Sequence, residues 1–461
     1  MASVLLPVIV LIIISTGKKI PKIGGNLVVS FVAASLLALI MSGIYNPLDW
    51  VDPWLTGLHR MAFIILIMLF GAMFSKLQIE SGAMLTVLNI LRALFGRTPQ
   101  GLVLAVLIAL YMGGAMLGTV AAVGAVVGML IVPALDDMEV PPDLICAIIV
   151  TGGSMGAIMP PISNAVNVSA GLIGVDVMSV LQLSYLTVGI GLVAVSLFFC
   201  KVYIGNKYAM PEHLLPTESA WTIFRQNWKC LIPMGVLIVL VLLASIPSVA
   251  FDLPGWLLKQ IPFGESNLYA TIAGIRIWGG FMNNIVLSLI ISIGVSFLCS
   301  DKVRKVGVHK MGVALKEMNH LVWVQFGAAF FLGAFSVGNQ MNIIAEWAGD
   351  LDTNLLKIGG SFTLMLAGMI MGSQSSSQSL LVPVLGPAWL AAGVAPVDAA
   401  MAASHIAAAG QGLPPADLNT FVIAGLVASI LNKKVDPLKS MFYTVPYCAF
   451  LGGIGMLFLY I

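Results

Sequence analysis

Along this chain apolar residues come in stretches of near 20, separated by short clusters of Lys, Arg, Asp and Glu. A helix of that length crosses about 30 Å of hydrocarbon. The spacing predicts ten spans, at 3–16, 23–43, 60–76, 142–171, 179–203, 230–248, 272–299, 321–340, 398–430 and 440–461. Two further uncharged runs, 98–135 and 358–397, are read as re-entrant helical hairpins, with two full spans each as the alternative.

Two of the spans are interrupted. TGGSMGAIMPPISN (151–164) brings glycines and a Pro-Pro pair to membrane depth, and GQGLPPADLN (410–419) does the same. Their surroundings also correspond. PPDLICAIIVTGGSMGAIMPPISN (141–164) parallels APVDAAMAASHIAAAGQGLPPADLN (395–419), VPAL (132–135) parallels VPVL (382–385), and 70–84 is echoed weakly at 332–347. The pattern predicts an all-α polytopic membrane protein built as a repeat of three helices, a hairpin and two helices. The first unit is 1–205 (scaffold 1–97, hairpin 98–135, broken helix 142–171, helix 179–203). A cytoplasmic linker, 206–227, precedes the second, 228–461 (scaffold 228–356, hairpin 358–397, broken helix 398–430, helix 440–461). Five spans per unit is an odd number, so the halves are expected upside down to each other. Inverted repeats with paired breaks are the signature of a secondary transporter with its site at the bilayer midplane.

Composition adds that no soluble catalytic domain accompanies the spans: 59% of residues are hydrophobic, 9% are charged, and the mean hydropathy is +1.02. With the loop of Lys18, Lys19 and Lys22 placed in the cytoplasm, 18 of the 22 Lys and Arg residues fall inside, leaving Arg60, Lys259, Arg276 and Lys357 outside. This follows the positive-inside rule and puts both termini on the outer face. The opening apolar run has no basic stretch before it and is read as a first span, not a cleaved leader. The basic stretch 301–320 is expected to be an interfacial helix touching anionic membrane lipid. Five scattered cysteines without CxxC spacing read as packing residues. No GxxxxGK[ST] loop, HExxH or His/Cys cluster occurs, which argues against an enzyme, a cofactor and a nucleic-acid partner.

Broken helices leave peptide groups unpaired at membrane depth, tolerable only beside protein or a cavity that satisfies them. Freed carbonyls and hydroxyls suit a hard cation such as sodium, and half-helix N-termini suit an anion. A Pro kink fitted to a neighbouring helix is the plainer reading of one break; a matched pair favours a site. Substrate contacts are therefore expected from Ser154, Asn164 and Asn167 at the first break, Ser375, Ser376 and Gln378 at the second hairpin turn, and Gln411 and Asn419 at the second break. Small residues at the first turn are equally well explained by helix contact. Asp417 and His405, ionisable inside a span, are candidates for carrying a proton. Neither break contains Lys or Arg.

GAMLGTVAAVGAVVGMLIVPAL followed by GGSMGAIMPP, and later GQGLPPADLNTFVIAGL, resemble the large membrane subunit (DctM type) of tripartite ATP-independent periplasmic (TRAP) transporters, within the ion transporter superfamily. The resemblance runs through nearly the whole chain and is weakest over 205–320. It implies an elevator: a transport domain of hairpins and broken helices sliding against a scaffold, driven by sodium. It implies uptake of organic acids such as dicarboxylates across the cell inner membrane. The implied partners are a periplasmic substrate-binding protein and a small four-helix membrane subunit. Sodium sites are implied at the first tip with the first break (Gly114, Gly118, Thr119, Gly153, Gly156, Pro160) and at the second (Ser373, Gly410, Gly412, Asp417). The chain departs from the family pattern at Leu413, at Asp417, and in the Gly372–Ser379 run that replaces an acidic residue. Open alternatives are a self-sufficient, dimeric proton or sodium symporter of the gluconate or citrate permease type, and a cation/proton antiporter.

Overall fold

Helices begin where the sequence supplies a cap. The computed structural model describes residues 2–17, 21, 23–118, 120–246, 249, 251–264, 266–415 and 417–461. The loop of Lys18, Lys19 and Lys22, and also Thr119, lie outside these. After α1 (Ala2–Thr16), Asn26 accepts from the Val28 and Val29 amides to start α2 (Leu27–Met41). α3 (Val51–Ser81) ends on left-handed Gly82, which leads into the surface helix α4 (Ala83–Phe95). Thr98 and Pro99 open α5 (Pro99–Leu117), and the return arm runs from α6 (Val120–Val123) through a π turn, Gly124–Gly128, into α7 (Met129–Asp137). α8 (Pro142–Ile158), α9 (Asn164–Ile173) and α10 (Val177–Phe198) complete the first half.

The second half opens with α11 (Ala220–Ser245), whose start shortens the expected linker. The segment expected as one span over 272–299 is instead the end of a small unit, a 3-10 turn at Trp278–Met282 and a shorter helix. The unit comprises α12 (Leu253–Lys259), a ribbon pairing Pro262 with Asn267, and α13 (Leu268–Ala273); α14 (Asn284–Cys299) follows it. Next come α15 (Asp301–Val337), the surface helix α16 (Gln340–Gly349), and a second hairpin of α17 (Thr353–Met371) and α18 (Gln374–Ala391). α19 (Pro396–Gly412), α20 (Leu418–Leu431) and α21 (Pro437–Phe458) end the chain. Among the described residues, seven helical segments are long and apolar enough to cross a membrane. α2, α14 and the halves of both interrupted spans are shorter.

The basic stretch 301–320 is not a separate interfacial helix. It is the first half of α15, 37 residues long. Three of its charges are taken up by the end of α3: Lys310 and Lys302 reach Glu80 at 2.5 and 3.5 Å, and Lys76 meets Glu317 at 2.9 Å.

Two groups of helices pack separately. α3 and α15 cross with backbones in contact, because a Cβ on Gly57 would run into the Ala329 carbonyl and one on Gly333 into that of Pro53. Close approach through small residues is how membrane helices gain contact without a hydrophobic drive. α2 packs on α15, α14 on α3, α1 on α2 and α11 on α14. In the other group α5 packs on α8, α17 on α19, α18 on α9, and α21 on both α8 and α19. α8 and α19 form its centre, buried from Asp143 to Ile158 and from Ala399 to Gly412. The groups meet where α9 lies on α3, with Gly171 against Ile64 and Arg60 donating to the Leu172 carbonyl at 3.3 Å, and also where α5 touches α3, α18 touches α15 and α10 touches α11.

Candidate functional site

The two hairpin turns are built alike. α5 stops at Gly118 (φ +65°), whose N–H returns to the Gly114 carbonyl at 2.8 Å. α17 stops at Gly372 (φ +60°), whose N–H returns to the Gly368 carbonyl at 2.8 Å. Glycine serves here because a left-handed residue must end each helix. The upstream glycine of each pair serves packing instead. A Cβ on Gly156 would stand 2.6 Å from the Tyr111 carbonyl oxygen and 2.8 Å from the Gly114 Cα. A Cβ on Gly368 would stand 2.9 Å from the Gly410 Cα. Each hairpin's first arm thus touches its broken helix backbone to backbone.

The breaks correspond too. α8 ends at Ile158, Pro160-Pro161 is cis, and the Ser163 hydroxyl accepts from Val166 N to start α9. α19 ends at Gly412, Pro414-Pro415 is cis, and the Asp417 carboxylate accepts from Asn419 N at 3.0 Å to start α20. Each turn is tied to its break by an amide side chain. Asn164 donates to the Gly118 carbonyl at 3.2 Å, and Gln411 accepts from the Gln374 amide at 2.8 Å.

These elements enclose a cavity of about 180 Å³. Gly118, Ala157 and Asn164 line it from the first turn and break; Gly372 to Ser376, Gln411 and Asn419 line it from the second. Met68 on α3 and Leu321, Val324 and Gln325 on α15 close the far side. Larger clefts of about 450 and 310 Å³ lie elsewhere, one between α5 and α10 and one against α2, α3 and α15. Their walls are mostly hydrocarbon, as expected of surfaces facing lipid, and in the larger one Tyr111 and Ser196 are paired with each other and Gln100 is given to the Gly205 carbonyl.

Of the residues expected to bind substrate, Asn164, Ser375, Ser376, Gln411 and Asn419 line this cavity, and Gly118 and Ser373 of the cation candidates join them. Ser154, Asn167 and Gln378 do not line it. All three are buried, and neither the Ser154 hydroxyl nor either amide finds a protein partner. Buried polar atoms of this kind mark places for water or ions. Gly114, Gly156 and Gly410 sit at the helix crossings described above, and Gly153 packs with a prospective Cβ 2.8 Å from Val120 Cγ1. Gly412 gives room to Tyr447 and Cys448. Pro160 faces an apolar cleft with Tyr185 and Met234.

The two ionisable candidates have local duties. Asp417 caps α20 and also accepts from the Thr420 hydroxyl at 2.6 Å. A carboxylate is favourable at a helix N-terminus. His405 faces α10: Nε2 lies 3.0 Å from Thr187 Oγ1, and Nδ1 lies 3.0 Å from the Met401 carbonyl oxygen. The tautomer protonated on Nδ1 donates to that carbonyl and accepts from Thr187, so a neutral imidazole is satisfied in place. Sequence reasoning passed over Gln325. The available signal for Gln325 was a lone amide in the apolar run VWVQFGAAFF.

With this geometry in view, comparison with known proteins is decisive for kinship. Residues 20–461 match the family model described as "Tripartite ATP-independent periplasmic transporter, DctM component". The chain belongs to the DctM family. It is therefore a multi-pass membrane protein of a transporter family. It is also similar in fold to the YdaH transporter of Alcanivorax borkumensis, with a TM-score of 0.63 and 16% identity over 94% of this chain and 98% of that one. At that identity the likeness is one of fold. No curated protein matches the sequence.

Proposed function

We propose that this DctM protein is the large permease subunit of a TRAP transporter, driving uptake of a small organic acid with the sodium gradient by an elevator movement. The observation that carries the reading is the cavity where both hairpin turns, both helix breaks and two long helices of the other group converge. On this reading the halves 1–205 and 228–461 are inverted repeats. The helices around α3 and α15 are the scaffold, and the hairpins, broken helices and their neighbours are the moving body. The ion pairs support that division. Lys433 with Asp136 and Lys439 with Asp143 join parts of the moving body, at 2.6 and 2.8 Å. Arg276 with Asp52, Lys76 with Glu317, and both lysines on Glu80 join parts of the scaffold. Among the described residues none joins one body to the other, so sliding breaks no ion pair. Sodium would be held by oxygens at the two turns and breaks, with a periplasmic binding protein and a small membrane subunit as partners. The membrane would be the inner one, with both termini on its outer face.

Asp417 as a cap weighs against the antiporter alternative, since its two hydrogen bonds give the carboxylate a structural duty at the start of α20. The test is uptake of radiolabelled acids into proteoliposomes, with partner subunits supplied, under imposed sodium or proton gradients. A sodium gradient is expected to accelerate uptake. Uptake of every acid that ignores both gradients would remove the assignment.

A further inference from the structure

The cavity at the breaks carries no charge of either sign on its lining side chains. Its polar walls are amides and hydroxyls. Such groups both donate and accept, which complements a carbon chain bearing hydroxyls, whereas an ionised carboxylate only accepts. A carboxylate at this depth needs a cationic partner or donors reserved for it, and beyond the sodium proposed at the turns the lining offers no cationic side chain for a second one. The half-helix N-termini that could serve are each partly engaged. Ser163 accepts from Val166 N, Ser373 accepts from Ser376 N, and the Gln374 amide is given to Gln411. At α20 the cap is the carboxyl of Asp417, so that end already has an acceptor on it.

Two acceptors in the walls lack a donor. Asn164 Oδ1 and Gln325 Oε1 are buried acceptors with no protein partner, and both residues line the cavity. Gln325 is 2% exposed. They belong to different walls, Asn164 at the start of α9 and Gln325 on α15. A solute that spans the cavity and presents hydroxyl hydrogens to both would satisfy them. A cation riding with the moving body would give up a ligand fixed on the scaffold at every stroke.

Resting on the transporter reading above, we infer that the solute is a polyhydroxylated molecule carrying at most one carboxylate, gripped through its hydroxyls, and not a compact dicarboxylate. Gln325 and Gln411 are specificity-determining residues for it.

The test is a matched series of six-carbon probes: sorbitol, uncharged; gluconate, with one carboxylate; glucarate, with two carboxylates and hydroxyls; and adipate, with two carboxylates and no hydroxyls. Thermal unfolding of the purified full chain in sodium chloride is read with each probe. Sorbitol and gluconate are expected to raise the unfolding temperature, glucarate to raise it less than gluconate, and adipate to leave it unchanged. Gln325→Leu and Gln411→Leu are each expected to weaken the sorbitol and gluconate effects at least about tenfold in half-saturating concentration. Stabilisation by adipate equal to that by gluconate would overturn the inference, as would no response to any of the four. So would unaltered half-saturation in both variants. Sodium-driven uptake of adipate in proteoliposomes would overturn the solute class while leaving the transporter reading intact. Absence of gradient-driven uptake for every solute would remove the transporter reading itself.

Discussion

Asp417 is fully buried, yet each of its oxygens has a local donor, Asn419 N and the Thr420 hydroxyl. Its counterpart at the first break is Ser163, a neutral cap in the same place two residues after the Pro-Pro pair. An Asn caps a helix about as well as an Asp, so Asp417→Asn is expected to keep gradient-driven uptake and to cost under about 1 kcal/mol. Asp417→Ala strands two buried donors and is expected to cost about 1–3 kcal/mol. Denaturation of the purified variants and proteoliposome uptake check both. Loss of proton or sodium dependence in Asp417→Asn, with stability unchanged, would give this carboxylate a coupling role that the cap does not explain. His405 illustrates the same lesson. From sequence it is an ionisable group inside a span; in the fold it is a donor and acceptor between α19 and α10. An intramembrane titratable residue is visible in sequence, but its partners are set by tertiary packing.

At the scale of elements, the interruptions were legible because a Pro-Pro pair is incompatible with an unbroken helix, and both breaks fall at such pairs, while each hairpin turn falls at a left-handed glycine inside an uncharged run. The reason for several glycines was not legible. They look like ligand space, but Gly410 lies where a Cβ would meet the Met365 carbonyl, so its smallness lets α17 reach α19. Gly410→Leu is therefore expected to abolish uptake by separating those helices. The cost is about 1–3 kcal/mol or more of stability, read as a lowered unfolding temperature with membrane insertion retained. Wild-type stability together with lost uptake would return Gly410 to the ligand space. Surface helices α4 and α16 escaped the reading because each is shorter than a span. The division of α15 at residue 320 failed for another reason: charge clusters were taken as membrane exits, while Lys302, Lys310 and Glu317 are paired with α3 along one continuous helix.

For the whole molecule, the proposal requires that two bodies slide past each other while each stays rigid. Their contact is suited to that, being apolar where α9 meets α3, with one hydrogen bond from Arg60 at its edge. Within the moving body, by contrast, Tyr111 meets Ser196 at 2.9 Å, and Thr444 donates to the Gly412 carbonyl at 3.1 Å. A disulfide needs Cα atoms within about 7 Å, and Ile64 touches the position a Gly171 side chain would take. With Cys146, Cys200, Cys230, Cys299 and Cys448 replaced by Ala, the pair Ile64→Cys and Gly171→Cys is expected to cross-link on oxidation and stop uptake, and reduction should restore it. The pair Ile406→Cys and Gly455→Cys lies inside the moving body, where a Cβ on Gly455 stands 2.7 Å from Ile406 Cγ1. Its cross-link is expected to leave uptake running, because two residues that travel together lose nothing by being joined. Undiminished transport by the oxidised 64–171 protein would mean that α9 never leaves α3, and the solute would then have to cross through a fixed structure with no second opening.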